Sequence, residues 1–149
     1  MEFYVDGSCS NNGNFPNEGG FAVIKINQET NTMEDYYCKR CKNTTNNREE
    51  LKAILYTFLN YGLQTPAPIV FSDSAYSINT LTNWIFKWAN NGWVKSDNKP
   101  PENLDLIKAY YEYYNKGYRI DLRKVKGHSG NQYNEFADKL AKGEIYIAG

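Results

Sequence analysis

The chain has 149 residues, 41% hydrophobic and 15% aromatic, with 17 Lys and Arg balanced by 17 Asp and Glu. A chain of that length suggests one domain able to bury roughly 68–70% of its unfolded surface, and the composition excludes a disordered chain, a polyacidic tail and a strongly basic surface. There is no run of about 18 apolar residues to span a membrane, no signal-peptide pattern in MEFYVDGSCS and no disulfide scaffold in three cysteines, so a cytoplasmic protein is expected.

EFYVDGS at the N-terminus reads as a strand ending at Gly7-Ser8, followed by a loop over 10–19 rich in Asn and Gly. GFAVIKI (20–26) and MEDYYCKRC (33–41) read as two more strands, and short turns between the three favour an antiparallel meander. The period then changes. Leu51, Ile54, Leu55, Phe58 and Leu59 define an amphipathic helix, with Thr45 or Asn46 as its N-cap. PIVFSD (68–73) is a short apolar run suited to a strand buried on both faces. Helical patterns follow at 74–90, broken near Gly92, and at 103–116, ending at Gly117. YRIDLRKVKG (118–127) reads as a last strand and 132–143 as a last helix. The order β-β-β-α-β-α-α-β-α predicts an α/β fold, a mixed five-stranded sheet with helices on its faces, in a single domain spanning 1–149.

Four acids fall where surface salt bridges have no need of them. Asp6 lies in the first strand, Glu50 on the first helix, Asp73 at the end of the fourth strand and Asp138 on the last helix. Each alone is better explained as a cap, a turn or a solvated residue; the set is what points to a site. Acids at the carboxyl ends of neighbouring strands meet at the crevice where open α/β sheets bind ligands. Converged carboxylates repel and raise each other's pKa, a conflict that oxygen-loving Mg²⁺ or Mn²⁺ removes. Two such ions about 3.5–4 Å apart can activate a water and stabilise a leaving oxygen in phosphoryl displacement, which suggests a nuclease.

DGSC at 6–9, TTNNREEL at 44–51, FSDSAYS at 71–77 and VKGHSGNQYNEFAD at 125–138 resemble, in order and over nearly the whole chain, the bacterial-like ribonuclease H type 1 family. The resemblance implies the ribonuclease H-like fold, with three antiparallel and two parallel strands, and a metal set on Asp6, Glu50, Asp73 and Asp138. It implies two Mg²⁺ ions, with Mn²⁺ able to substitute, and a catalytic loop histidine at His128, the only histidine, able to accept or relay protons. The implied reaction is hydrolysis of the RNA strand of an RNA–DNA hybrid, leaving 5′-phosphate and 3′-hydroxyl ends. Asn12, Asn46 and Asn47, with backbone groups near Cys9, match the groove-contacting positions that sense 2′-hydroxyls. Thr45 and Asn103 match the DNA-phosphate pocket, in which Asn43 stands where the family usually has Arg. Residues 83–100 resemble the family's basic handle, in a less basic form, and Trp84 matches an aromatic that contacts DNA. Ala75 replaces the family's glutamine two residues after Asp73. Nothing in the chain resembles a hybrid-binding domain; a monomer without an obligate protein partner or membrane contact is expected.

Cys38 and Cys41 form a CxxC, but a zinc site needs more ligands, and i, i+3 positions on a strand face opposite ways. Trp88, Trp93 and the aromatic run over 109–118 fit helix packing better than base stacking. Two other readings stay open: a hybrid-binding module without catalysis, which the intact acid set disfavours, and a resolvase- or integrase-like nuclease, against which TTNNREE and GHSG speak. Zero net charge is compatible with a nucleic-acid substrate, because four acids assigned to metal leave 17 basic against 13 acidic residues, or +4.

Overall fold

A computed structural model describes residues 1–125 and 132–145. Its sheet contains β1 (Glu2–Cys9), β2 (Glu18–Asn27), β3 (Thr32–Lys42), β4 (Ile69–Ser72) and β5 (Asp121–Lys124), in the order β3-β2-β1-β4-β5. β1 pairs antiparallel with β2 and parallel with β4; β2–β3 is antiparallel and β4–β5 parallel. This is the mixed sheet that the element order predicts. β1 runs two residues further than Gly7, because Ser8 and Cys9 still pair with Gly20 and Gly19.

Alternation along β1 separates two cores. Phe3 and Val5 face α1 (Asn46–Tyr61) and α4 (Leu104–Asn115), packing with Leu51, Ile54, Phe58 and Ile107. Tyr4 faces the other way, toward Leu140 and Ala141 of α5 (Gln132–Lys142). The helix face on α1 is rotated from the expected stripe: Ala53 and Thr57 are buried, whereas Leu59 is exposed. Thr45 is the N-cap, its side chain accepting from the Arg48 N–H at 3.1 Å. The close seat of α1 on β1 depends on Gly7, where an added Cβ would lie 2.2 Å from the Glu50 nitrogen.

Two expectations change. The single helix expected over 74–90 is α2 (Ala75–Asn79), a π-helical turn over Thr80–Trp84, and α3 (Ile85–Asn90). The turn carries one residue more than an α-helix would, and Thr82 Oγ1 donates back to the Ile78 carbonyl at 2.6 Å, a bond that loosens the regular ladder. The last strand, Asp121–Lys124, starts three residues later than the expected 118, because Arg119 donates its N–H to the Gly62 carbonyl rather than to a strand; positions 126–127 of the expected run lie outside the described residues. Among the described residues no helix is long and apolar enough to cross a membrane.

Candidate active site

Parallel pairing of β1 with β4, with Tyr4 opposite Phe71, sets the carboxyl end of β4 beside the middle of β1, so the crevice opens where Asp73 follows β4 and Asp6 lies three residues before β1 ends at Cys9. Asp6 shares the Tyr4 face of β1, and Asp73, immediately after β4, shares the Phe71 face of that strand. Glu50 comes from the opposite layer, on the first turns of α1, past the bare Cα of Gly7. One carboxylate oxygen from each of Asp6, Glu50 and Asp73 lies within 4.8 Å of the other two. Asp6 and Glu50 are 3% and 7% exposed, and Asp73 is exposed.

The electrostatics follow from that crowding. Burial, reinforced by the charges of Asp73 and Asp138, raises the Asp6 carboxyl from 3.8 to about 7, against a lowering hydrogen bond with Glu50. Burial also pushes Glu50 well above its ordinary value, with Asp6 and Asp73 adding to the effect and the Gly7 N–H opposing it. Gly7 N–H also donates to Asp6 Oδ1 at 2.9 Å. Glu50 Oε2 is buried with no hydrogen-bond partner. A buried carboxylate oxygen without a donor, among acids that destabilise one another's charge, fits a bound cation. The donor set is all oxygen, suited to Mg²⁺ or Mn²⁺ rather than to a thiolate-seeking metal.

Asp138, on α5, is close enough to raise Asp6, but it stands outside the three-acid cluster. Its Oδ2 is 2.9 Å from Lys142 Nζ, one turn along the same helix. His128 lies outside the described residues.

Of the residues expected to read substrate, Cys9, Asn12, Thr45, Asn46 and Asn47 gather at the N-terminus of α1, whereas Trp84 lies in the π-helical turn and Asn103 at the start of α4. Asn12 Oδ1 accepts from the Asn46 N–H at 2.9 Å, tying the β1–β2 loop to the helix start. Cys9 Sγ donates to the Thr44 carbonyl at 3.3 Å, and burial followed by the charge of Glu49 raises its thiol. Asn17, not expected from sequence, joins these loops: its Oδ1 accepts from Thr44 N–H at 2.9 Å and its Nδ2 donates to the Thr44 carbonyl at 3.1 Å. Asn43 turns toward this hub, its Oδ1 accepting from the Asn17 N–H at 3.2 Å. Arg48 links the other two expected residues: its backbone N–H donates to Thr45 Oγ1, while its guanidinium reaches Asn103 Oδ1 at 3.4 Å and clasps Asp105 at 3.0 and 2.7 Å. Asn103 caps α4 in a left-handed conformation, φ 59°, and donates to Tyr76 Oη at 3.2 Å. The i, i+26 and longer spacings of the Asn17 bonds carry no periodic signal, so nothing in the sequence marks that residue.

Trp84, 44% exposed, stacks against Trp88 at 6.0 Å between ring centroids, with Lys87 Nζ 4.9 Å from its own ring. Beside the pair runs a groove of about 430 Å³ that also touches Asn47, Tyr76 and Lys95. Trp93 meets Tyr111 edge-on at 5.3 Å and is packed, as expected. Cys38 and Cys41 are free thiols, and neither belongs to a candidate metal cluster among the described residues.

A mixed sheet of this order, with acids from its two central strands and the first helix converging on one point, has the outline of a divalent-metal site on an α/β fold. The RNase H family model matches residues 1–146, and the chain belongs to that family. It is 42% identical to "Ribonuclease H" of Caldanaerobacter subterraneus subsp. tengcongensis over 97% of this chain and 90% of that protein. It is 41% identical to "Ribonuclease HI" of Haemophilus influenzae over 95% and 87%. A solved foamy viral protease-reverse transcriptase in complex with an RNA/DNA hybrid superimposes with TM-score 0.80 at 21% identity, covering 95% of this chain and 19% of the viral one. The chain is thus a nuclease of the type 1 ribonuclease H class, as the four sequence motifs imply.

Proposed function

We propose that the protein is an endoribonuclease that hydrolyses the RNA strand of RNA–DNA hybrids and leaves 5′-phosphate and 3′-hydroxyl ends. The observation that carries this reading is the convergence of Asp6, Glu50 and Asp73 within 4.8 Å at the strand ends of a ribonuclease H chain. With Asp138 these residues would hold two Mg²⁺ ions, or Mn²⁺ in their place; bound there, the metal supplies an activated water and stabilises the leaving oxygen.

The chain's own residues do the rest. Asp6 and Glu50, held by burial and by Gly7, present a preorganised floor of carboxyl oxygens whose charge burial disfavours and a bound cation would restore. The platform of Asn12, Asn46 and Asn47, with the backbone at Cys9, offers amide groups to a wide RNA minor groove and its 2′-hydroxyls. Thr45 and Asn103, bridged by Arg48, lie on the side where the DNA backbone would pass, and Trp84 offers an exposed ring for stacking. His128 is assigned proton acceptance or relay. Support for the hybrid as substrate comes from the family and from the hybrid-bound viral structure. We take residues 1–149 to act as one monomeric catalytic domain in the cytoplasm.

The test is incubation of the protein with labelled RNA–DNA hybrid, duplex RNA and duplex DNA, with Mg²⁺, with Mn²⁺ and with EDTA. Metal-dependent cutting of RNA in the hybrid alone is expected. Binding without cleavage in either metal would point to a hybrid-binding module, and equal cutting of duplex DNA to another polynucleotide nuclease.

A further inference from the structure

The fourth acid of the proposed metal set already has a cationic partner. Asp6, Glu50 and Asp73 converge, whereas the Asp138 carboxylate is held 2.9 Å from Lys142 Nζ across one turn of α5. The pair also answers a local need: Asp138 lies near enough to Asp6 to disfavour its charge, and the Lys142 ammonium offsets the negative charge of Asp138 itself. Lys142 stands in the last turn of α5, where the helix dipole favours a positive charge. Its ammonium is half-exposed and on a flexible stem, so it can swing away without disturbing the core made by Ala137, Leu140 and Ala141.

From this geometry we infer that Lys142 is a built-in counter-ion that competes with a divalent cation for Asp138. Metal loading at the fourth acid then requires exchange of one cation for another, and the ammonium released stays at the rim of the site. This rests on the reading of Asp138 as a metal residue. An exposed ion pair is weak, so the competition should be modest and reversible.

Direct Mn²⁺ titration of the full chain, followed by the electron paramagnetic resonance signal of free Mn²⁺, tests it without reference to activity. Lys142→Met should tighten binding about two- to fivefold. Lys139→Met, which removes a neighbouring charge that makes no ion pair with Asp138, should change it less than Lys142→Met. In an Asp138→Asn background, Lys142→Met should have little further effect, because the partner through which it acts is gone. Wild-type protein with no saturable binding, or with binding that Asp6→Asn and Asp73→Asn leave unchanged, overturns both the site and the inference. Binding lost in Asp6→Asn but unmoved by Lys142→Met, or tightened equally by Lys139→Met, leaves the site standing and overturns the inference alone. Circular dichroism of each variant confirms that an altered isotherm comes from a folded chain.

Discussion

Asp6 is held in an environment that disfavours its charge, and its titration is therefore written into the stability of the metal-free protein. Its carboxyl is raised to about 7 in the fold from 3.8, so between those values the folded state binds more protons than the unfolded one, and stability falls as pH rises through that window. Removing the charge should reverse the trend. Asp6→Asn in EDTA is expected to gain on the order of 2 kcal/mol over wild type at pH 8, with the gain vanishing near pH 4; urea denaturation at the two pH values checks it, and equal stabilities at pH 8 would contradict the placement. For activity the same residue runs the other way. Asp6→Asn and Asp73→Asn should each abolish Mg²⁺-dependent hybrid cleavage while the circular dichroism spectrum stays unchanged, and full activity in Asp73→Asn would sink the assigned site. Asp73 is legible in the sequence because an apolar run marks where β4 ends, and Asp6 because it is an acid set inside an apolar strand. Asn17 is not, since its partners Asn43 and Thr44 belong to a different loop and only the paired strands bring them together. The pairing of Asp138 with Lys142 is legible in principle from the i, i+4 spacing, but the motif draws attention to the acid and stops short of its neighbour.

At the level of elements, what matters is how closely α1 approaches β1. Gly7→Ala would drive a Cβ to 2.2 Å from the Glu50 nitrogen and 2.3 Å from the Glu49 carbonyl carbon, both backbone atoms. A loss of about 3 kcal/mol is expected from such overpacking, together with weaker Mn²⁺ binding as Glu50 is displaced; thermal melts and the same metal titration measure the two effects. Thr45→Ala, which removes only the cap to the Arg48 N–H, should lower stability by about 1 kcal/mol. The Thr45 cap follows from local chemistry that short motifs record, and so do the meander and the α1 start. The π-helical turn does not: a change of one residue per turn over Thr80–Trp84 is too brief to disturb a hydrophobic period. The bounds of β5 are equally hidden, because its length is set by where β4 ends, and four paired residues of β4 can hold only four of β5.

Over the whole molecule, the neutral sum hides a surface whose basic groups are partly committed to their own chain. Arg48 pairs with Asp105, Arg123 with Asp121, and Arg40 donates to the Ala141 carbonyl at 2.5 Å. Arg119 lies over Tyr114, 3.5 Å from the ring centre. Several of the charges counted in the sequence are thus engaged before a phosphate arrives. Hybrid binding by the inactive Asp73→Asn protein should therefore weaken with NaCl on a log–log slope shallower than about −4, and a slope near −8 would contradict a small number of phosphate contacts.

The sheet also divides the molecule energetically. Its two faces carry separate cores, α1 and α4 on one side and α5 on the other. Three of the proposed ligands ride on the strands and α1, and only Asp138 rides on α5. Detachment of α5 alone would expose the smaller core and carry away one acid, leaving the other three in register. Amide exchange should register this as two cooperative units, with α5 protons exchanging ahead of those of α1. A chain that has lost its grip on α5 would still look folded to most probes while lacking a quarter of its acidic centre, so the lifetime of one docked helix bounds the lifetime of the complete site.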